Sequence, residues 1–171
     1  MMHFSKALLL TGVLALSACA NADRFGNKYD SANGGAGAGN GAQAGMPAPN
    51  TPAYFQQAIG DRVFFVVDQS DLTPEGRTVL DGQAQWLMAN ADYLAVIEGH
   101  ADEQGTREYN LALGARRANA VMEYLISQGV APNRLRFVSY GKERPVELCS
   151  DEACYSKNRR AVTVIASGAT S

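Results

Sequence analysis

The chain is poor in the residues that carry most metal and covalent chemistry. Histidine occurs only at His3 and His100, cysteine at Cys19, Cys149 and Cys154, and tryptophan once, in 171 residues. A catalytic zinc takes three protein ligands and keeps an open position, and the surroundings of His100 offer Asp102 and Glu103 but no second imidazole. No Ser-His-Asp arrangement is apparent either, so no enzyme, metal or cofactor is expected. Charge of one sign is lacking as well. Against 17 Asp+Glu stand 15 Lys+Arg, a formal net charge of −2. That excludes a nucleic-acid binder of the usual kind, which needs surplus cations to neutralise phosphates. No apolar run reaches the ~20 residues that a bilayer-spanning helix requires.

What is present is unevenly spread. Residues 1–18 run from a basic start through the apolar stretch Ala7–Leu16 to small residues, the pattern of a secretory signal peptide. Leu16-Ser17-Ala18-Cys19 resembles the lipobox of bacterial lipoproteins. The resemblance implies cleavage before Cys19, a diacylglycerol on its thiol and an acylated amine. Each buried methylene contributes ~0.8 kcal/mol, so several chains hold a protein at a bilayer almost irreversibly. Ala20 stands where an Asp would retain such a protein at the inner membrane, which favours the outer membrane. With Cys19 lipidated, Cys149 and Cys154 form an even remainder in an exported protein and read as a structural disulfide.

The segment 19–58 is a lipidated N-terminus followed by a Gly/Ala/Asn/Pro linker, with too little apolar surface to offset the cost of ordering it. Periodicity begins at Asp61, so the domain is placed at 59–167, with 168–171 as a tail. Arg62–Val67 reads as a strand, and Thr73-Pro74 as the cap and first residue of a helix reaching Ala89, with Leu80, Ala84, Leu87 and Met88 on one side. Tyr93–Glu98 is a second strand, whose continuous apolar run suggests burial on both faces. A helix over Glu108–Gln128 carries Leu111, Ala118, Val121, Met122 and Leu125 on one stripe and stops at Gly129. Leu135–Tyr140 and Ala161–Ala166 read as strands, with a short helix over Asp151–Asn158 between them. The fold class is α/β: one mixed sheet of four strands with helices packed against it.

The densest polar cluster, Glu98 to Gly105, follows the second strand, and ligand sites gather at strand C-terminal ends in α/β sheets. It leads into the long helix, where Asn110, Leu113 and Arg117 share a flank bordering the apolar stripe, while Arg116 points away. A carboxylate at Asp102 and a guanidinium at Arg117, held apart, suit a zwitterion, the acid taking an ammonium and the base a carboxylate. On pattern alone, a direct Asp102–Arg117 ion pair and an Arg117 that snorkels over the core edge stand beside that reading.

Gly99–Thr106, Glu108-Tyr109-Asn110, Leu113–Val121, Val138–Pro145 and Tyr155–Val162 resemble the OmpA-like peptidoglycan-binding domain family, most closely its lipoprotein members in the Tol-Pal system. The resemblance covers roughly residues 60–166 and implies an OmpA-like sandwich. It implies non-covalent binding of the meso-diaminopimelate of peptidoglycan, with Asp102 and Arg117 gripping it. Asn110 and Leu113 fall on supporting positions, and Phe65 on the aromatic ending the first strand. Val66 departs from the Asp or Asn of many relatives, which leaves only backbone groups to the ligand there. TolB and other Tol proteins are the implied partners of a monomer anchored in the outer membrane, serving envelope integrity and cell division. A flagellar stator would need a spanning helix and a porin many alternating strands.

Overall fold

The computed structural model describes residues 45–148 and 150–167. The expected signal peptide, Cys19, the linker up to residue 44, Cys149 and the tail 168–171 lie outside the described residues. The first element is α1 (Pro52–Tyr54), capped by the Thr51 hydroxyl accepting from Tyr54 N–H and continuing as a π-helical turn over Phe55–Gly60. Then follow β1 (Arg62–Phe64), α2 (Pro74–Ala89), β2 (Tyr93–His100), α3 (Arg107–Ser127), a 3-10 turn at Pro132–Arg134, β3 (Leu135–Gly141), α4 (Glu152–Asn158) and β4 (Arg160–Ser167). The strands form one sheet in the order β1-β4-β2-β3. β4 runs antiparallel to both β1 and β2, and β2 is parallel to β3, so the sheet is mixed as expected.

Three expectations need correction. The domain starts earlier than residue 59: Pro52–Gly60 are helical, and Phe55 is buried edge-on against Trp86 at 5.0 Å between ring centroids. Trp86 Nε1–H donates to Pro49 O at 2.7 Å and Tyr93 O–H to Asn50 O at 3.2 Å, so the chain is fastened to α2 and β2 before its first helix. The apolar stripes are also shifted. Met88 and Leu111 are exposed, and the core positions on their helices are filled by Gln83 and Trp86, and by Leu113 and Gly114. Finally, β2 alternates: Ala95, Ile97 and Gly99 are buried while Leu94 is exposed, so one face of the strand, not both, packs into the core.

Buried polar groups tie the layers together. Gln83 of α2 donates to Gly60 O at 2.8 Å and accepts from Thr163 of β4 at 2.8 Å, leaving neither end of its amide unpaired. Arg134 caps the end of α2 by donating to Leu87 O, Asn90 O and Tyr93 O. The closest approach is between backbones. A Cβ at Gly99 of β2 would lie 1.9 Å from Gly114 O of α3, and one at Gly114 would lie 2.4 Å from Ser139 Oγ. Two glycines therefore let α3 lie directly on the sheet, and this contact sets the depth at which α3 presents its polar flank.

Candidate ligand-binding groove

β2 ends at His100, and the chain then turns through Asp102–Gly105 into α3, whose N-cap is Thr106 accepting from Tyr109 N–H. Asp102 Oδ1 accepts from Gln104 N–H at 3.1 Å, an Asx turn, and Gly105 adopts φ +87°, a left-handed conformation suited to glycine. The turn is pinned from several elements. Asn110 of α3 donates to Gln104 O at 2.7 Å, Lys142 after β3 donates to Gly105 O at 2.8 Å, and Tyr155 of α4 donates to Glu103 at 2.9 Å. Hydrogen bonds from Ser150 and then Tyr155 hold the Glu103 carboxyl below the usual carboxylate range.

This turn forms one wall of a groove of about 450 Å³, lined by Asp102, Gln104, Asn110 and Leu113, with Tyr109 and Asp68 opposite. Asp68 is the one described non-glycine residue at positive φ, 60°, a conformation Asp tolerates better than most, and Tyr109 O–H donates to its carboxylate. The groove therefore presents two carboxylates, and among the described residues no cationic side chain lines it.

Arg117 lies behind that groove with no exposed surface. Its guanidinium donates to Gln69 O at 2.8 Å, His100 O at 2.9 Å and Val66 O at 3.2 Å, and its Cζ sits 5.2 Å from the Phe65 ring centroid. Burial pushes its pKa down to about 10, with Asp102 acting in the opposite direction, so it stays charged at neutral pH. A guanidinium has five N–H groups; the three carbonyls take one each, and the other two meet no acceptor among the described residues.

Of the residues singled out from sequence, Asp102, Asn110 and Leu113 meet at one groove. Arg117 neither snorkels nor pairs with Asp102; it ties the loop after β1 to the end of β2. Phe65 and Val66 also depart from expectation. The first strand ends at Phe64, because Phe65 O and Val66 O are taken by the guanidinium groups of Arg159 and Arg117. Val66 is half exposed and opens on a separate apolar groove with Phe64 and Lys157.

The partner of Asp102 is Arg159, which the pattern left unnoticed. Arg159 follows α4 and is buried, and its Nη1 donates to Asp102 Oδ2 at 3.1 Å. Asp68 was missed as well; its only sequence signal is its place in a polar loop after an aromatic strand.

His100 sits beside this site without lining it. It is buried, tilted against Tyr140 at 5.6 Å, and neither ring nitrogen finds a hydrogen-bond partner among the described residues; Glu98 Oε2 stands 3.8 Å away. Burial, then Arg160 and Arg144, pushes its pKa from 6.5 down to about 4. A base whose folded pKa is depressed stabilises the fold fully above pH 6.5 and loses that contribution as pH falls toward 4. The expected loss is about 3 kcal/mol. Thermal melts from pH 7 to pH 4 should show it as a falling Tm, and His100→Gln should flatten the profile; parallel profiles would contradict this account.

The comparisons with known proteins identify the family of the fold. Residues 64–159 match the model of the OmpA family. The chain is 49% identical over 164 residues to a peptidoglycan-associated lipoprotein of Mesorhizobium japonicum, covering 96% of this chain and 92% of that one. A protein of the same name from Pseudomonas aeruginosa is 41% identical over 162 residues, covering 94% and 96%. The crystal structure of the peptidoglycan-associated lipoprotein from Burkholderia pseudomallei superposes with a TM-score of 0.64 at 37% identity, over 68% of this chain and 100% of that one. The chain belongs to the OmpA family and, within it, stands with the peptidoglycan-associated lipoproteins, which are not enzymes.

Proposed function

We propose that this protein is a lipoprotein of the outer membrane that binds the meso-diaminopimelate of peptidoglycan stem peptides and so ties membrane to wall. The observation that carries the reading is the pairing of a groove walled by Asp102 and Asp68 with a guanidinium beneath it that has two N–H groups unspent. Diaminopimelate offers an ammonium and a carboxylate on one carbon. The ammonium meets Asp102, whose two oxygens each accept one hydrogen bond and retain a lone pair. The carboxylate reaches Arg117 once the Val66–Gln69 lip yields, exchanging carbonyl acceptors for a charged one. Asn110 and Leu113 shape the wall between them, and Phe65 backs the guanidinium.

The names of the relatives support association with peptidoglycan and a lipid modification. The lipobox supports Cys19 as the acylated residue and the periplasmic face of the outer membrane as its place. A disulfide between Cys149 and Cys154 is part of the same proposal, supported by their spacing and by the burial of Cys154 on α4. The motif resemblance supports TolB and other Tol proteins as alternative partners, so occupancy switches between wall and Tol machinery as a difference of affinities.

The test is co-sedimentation with purified cell wall, competed by the stem tripeptide L-alanyl-γ-D-glutamyl-meso-diaminopimelate or by the same tripeptide ending in L-lysine. With its α-amine spent in the peptide bond, the lysine residue keeps an ammonium at the end of its side chain but lacks the carboxylate beside it. A site that hydrogen-bonds that carboxylate rejects an analogue without it, because its own polar groups are left unpaired. The diaminopimelate tripeptide is expected to release the protein at concentrations at least about tenfold below the lysine tripeptide; equal competition would refute the grip.

A further inference from the structure

Asp102 can take a ligand cation only if its own charge is not already spent on Arg159. The two are joined by a single contact, Nη1 to Oδ2 at 3.1 Å, in surroundings that leave both side chains below one-tenth exposed. Such a buried pair would ordinarily close into a fork, both guanidinium nitrogens facing both carboxylate oxygens. Here the fork goes elsewhere. Glu152, in the first turn of α4, takes Arg159 Nη1 at 3.2 Å with Oε2 and Nη2 with Oε1, while Nε donates to Phe65 O. The Glu152 side chain is 68% exposed, so nothing about burial requires it to pair.

We infer that Glu152 is a positioning residue for the groove: by engaging Arg159 through both its oxygens it keeps that guanidinium from closing on Asp102, and leaves the Asp102 charge available to a ligand ammonium. Two carboxylates share one guanidinium, so the trio carries one net negative charge, located on the groove side at Asp102. The hydrogen bonding of Arg159 to Glu152 is also the leading cause that raises the Arg159 pKa, ahead of its hydrogen bond to Asp102. Without the Glu152 charge, the remaining pair of Asp102 and Arg159 is neutral. Arg159 then turns its full charge on Asp102 and also repels an arriving ammonium. Both effects act within a few ångströms in a partly desolvated site, where charge interactions are strongest. The inference rests on the proposed reading of the groove and adds a residue outside it.

The experiment measures binding of the tripeptide L-alanyl-γ-D-glutamyl-meso-diaminopimelate to the full chain by titration calorimetry, beside the same tripeptide acetylated on its free side-chain amine. Glu152→Gln keeps the shape and drops the charge; Glu152→Asp restores the charge on a shorter arm; Asp102→Asn tests the groove itself. Glu152→Gln is expected to weaken the free-amine tripeptide about tenfold, leave the acetylated one unchanged and leave Tm unchanged. Glu152→Asp is expected to recover most of the loss. A merely structural role would weaken both tripeptides by the same factor and lower Tm. Either that outcome, or Glu152→Gln binding within about twofold of wild type while Asp102→Asn fails to bind, overturns the inference and leaves the groove reading standing. Asp102→Asn binding at full strength overturns the groove reading, and this inference with it.

Discussion

Arg117→Ala is expected to abolish wall binding and to destabilise the fold together, by about 3–5 kcal/mol. The substitution removes a fully buried guanidinium and strips its donors from Gln69 O, His100 O and Val66 O at once, Val66 O alone keeping a second donor, the Gln69 N–H. Each buried acceptor left unsatisfied costs about 1–3 kcal/mol, offset where water can enter the space left behind. The loop after β1 also loses its fastening to β2, and Asp68, held at positive φ, loses the support of its neighbours on both sides. Loss of binding by this variant alone therefore does not assign the carboxylate contact. Arg117→Lys separates the roles: it keeps the charge but not the fork. Chemical denaturation should find it less destabilised than the alanine variant, with wall binding still reduced at least about tenfold. Full binding by Arg117→Lys would show that the charge, and not the planar set of donors, is what the ligand meets.

The second large effect is expected at a residue that touches no ligand. Gly99→Ala places a methyl group 1.9 Å from Gly114 O and 3.0 Å from the Ala118 methyl, distances that backbone atoms cannot relieve by a rotamer change. The helix must lift off the sheet, and α3 carries Asn110, Leu113 and Arg117 with it. Overpacking of this kind costs about 1–3 kcal/mol where side chains can adjust, and the upper end or beyond is expected here because both partners are main chain. Urea unfolding should show the drop in midpoint. Wall binding should fall even under conditions where the variant is folded, since the groove depends on the depth of α3. A variant as stable as the parent would contradict the close packing described.

Much of this architecture is legible in the chain. Thr73-Pro74 announces α2, Gly129 ends α3, and the β-branched runs place the strands, because each of these signals acts locally. Thr51-Pro52 carries the same signature as Thr73-Pro74 and caps α1, yet the Gly- and Pro-rich stretch before it masks the signal. Leu111 and Met88 mislead because a stripe of helical spacing admits either of two adjacent residues. Contact with Gly99 brings Gly114 and its neighbour Leu113 to the sheet and turns Leu111 outward.

The site divides in the same way. Asp102, Asn110 and Leu113 lie close in sequence on one turn and one helix, so spacing brings them together on paper as in space. The partners of the two key charges are distant. Arg159 lies 57 residues from Asp102, and the Val66 and Gln69 carbonyls lie 51 and 48 residues from Arg117. Periodicity carries no information about which backbone carbonyl a buried guanidinium will find, so a pair that looks like acid facing base is in fact two charges held separately, Asp102 by Arg159 and Arg117 by backbone carbonyls.

Titration of the diaminopimelate tripeptide into the Asp102→Asn protein tests the central claim most directly. The amide oxygen keeps the hydrogen bond from Gln104 N–H, while the amide NH2 replaces the oxygen that accepts from Arg159 Nη1, so the variant loses that ion pair together with the charge meant for the ammonium. The expected result is a protein that keeps its circular dichroism spectrum but melts at a lower temperature, with affinity reduced at least about a hundredfold. Wild-type affinity in that variant would mean that the ammonium is held somewhere other than the groove at the end of β2.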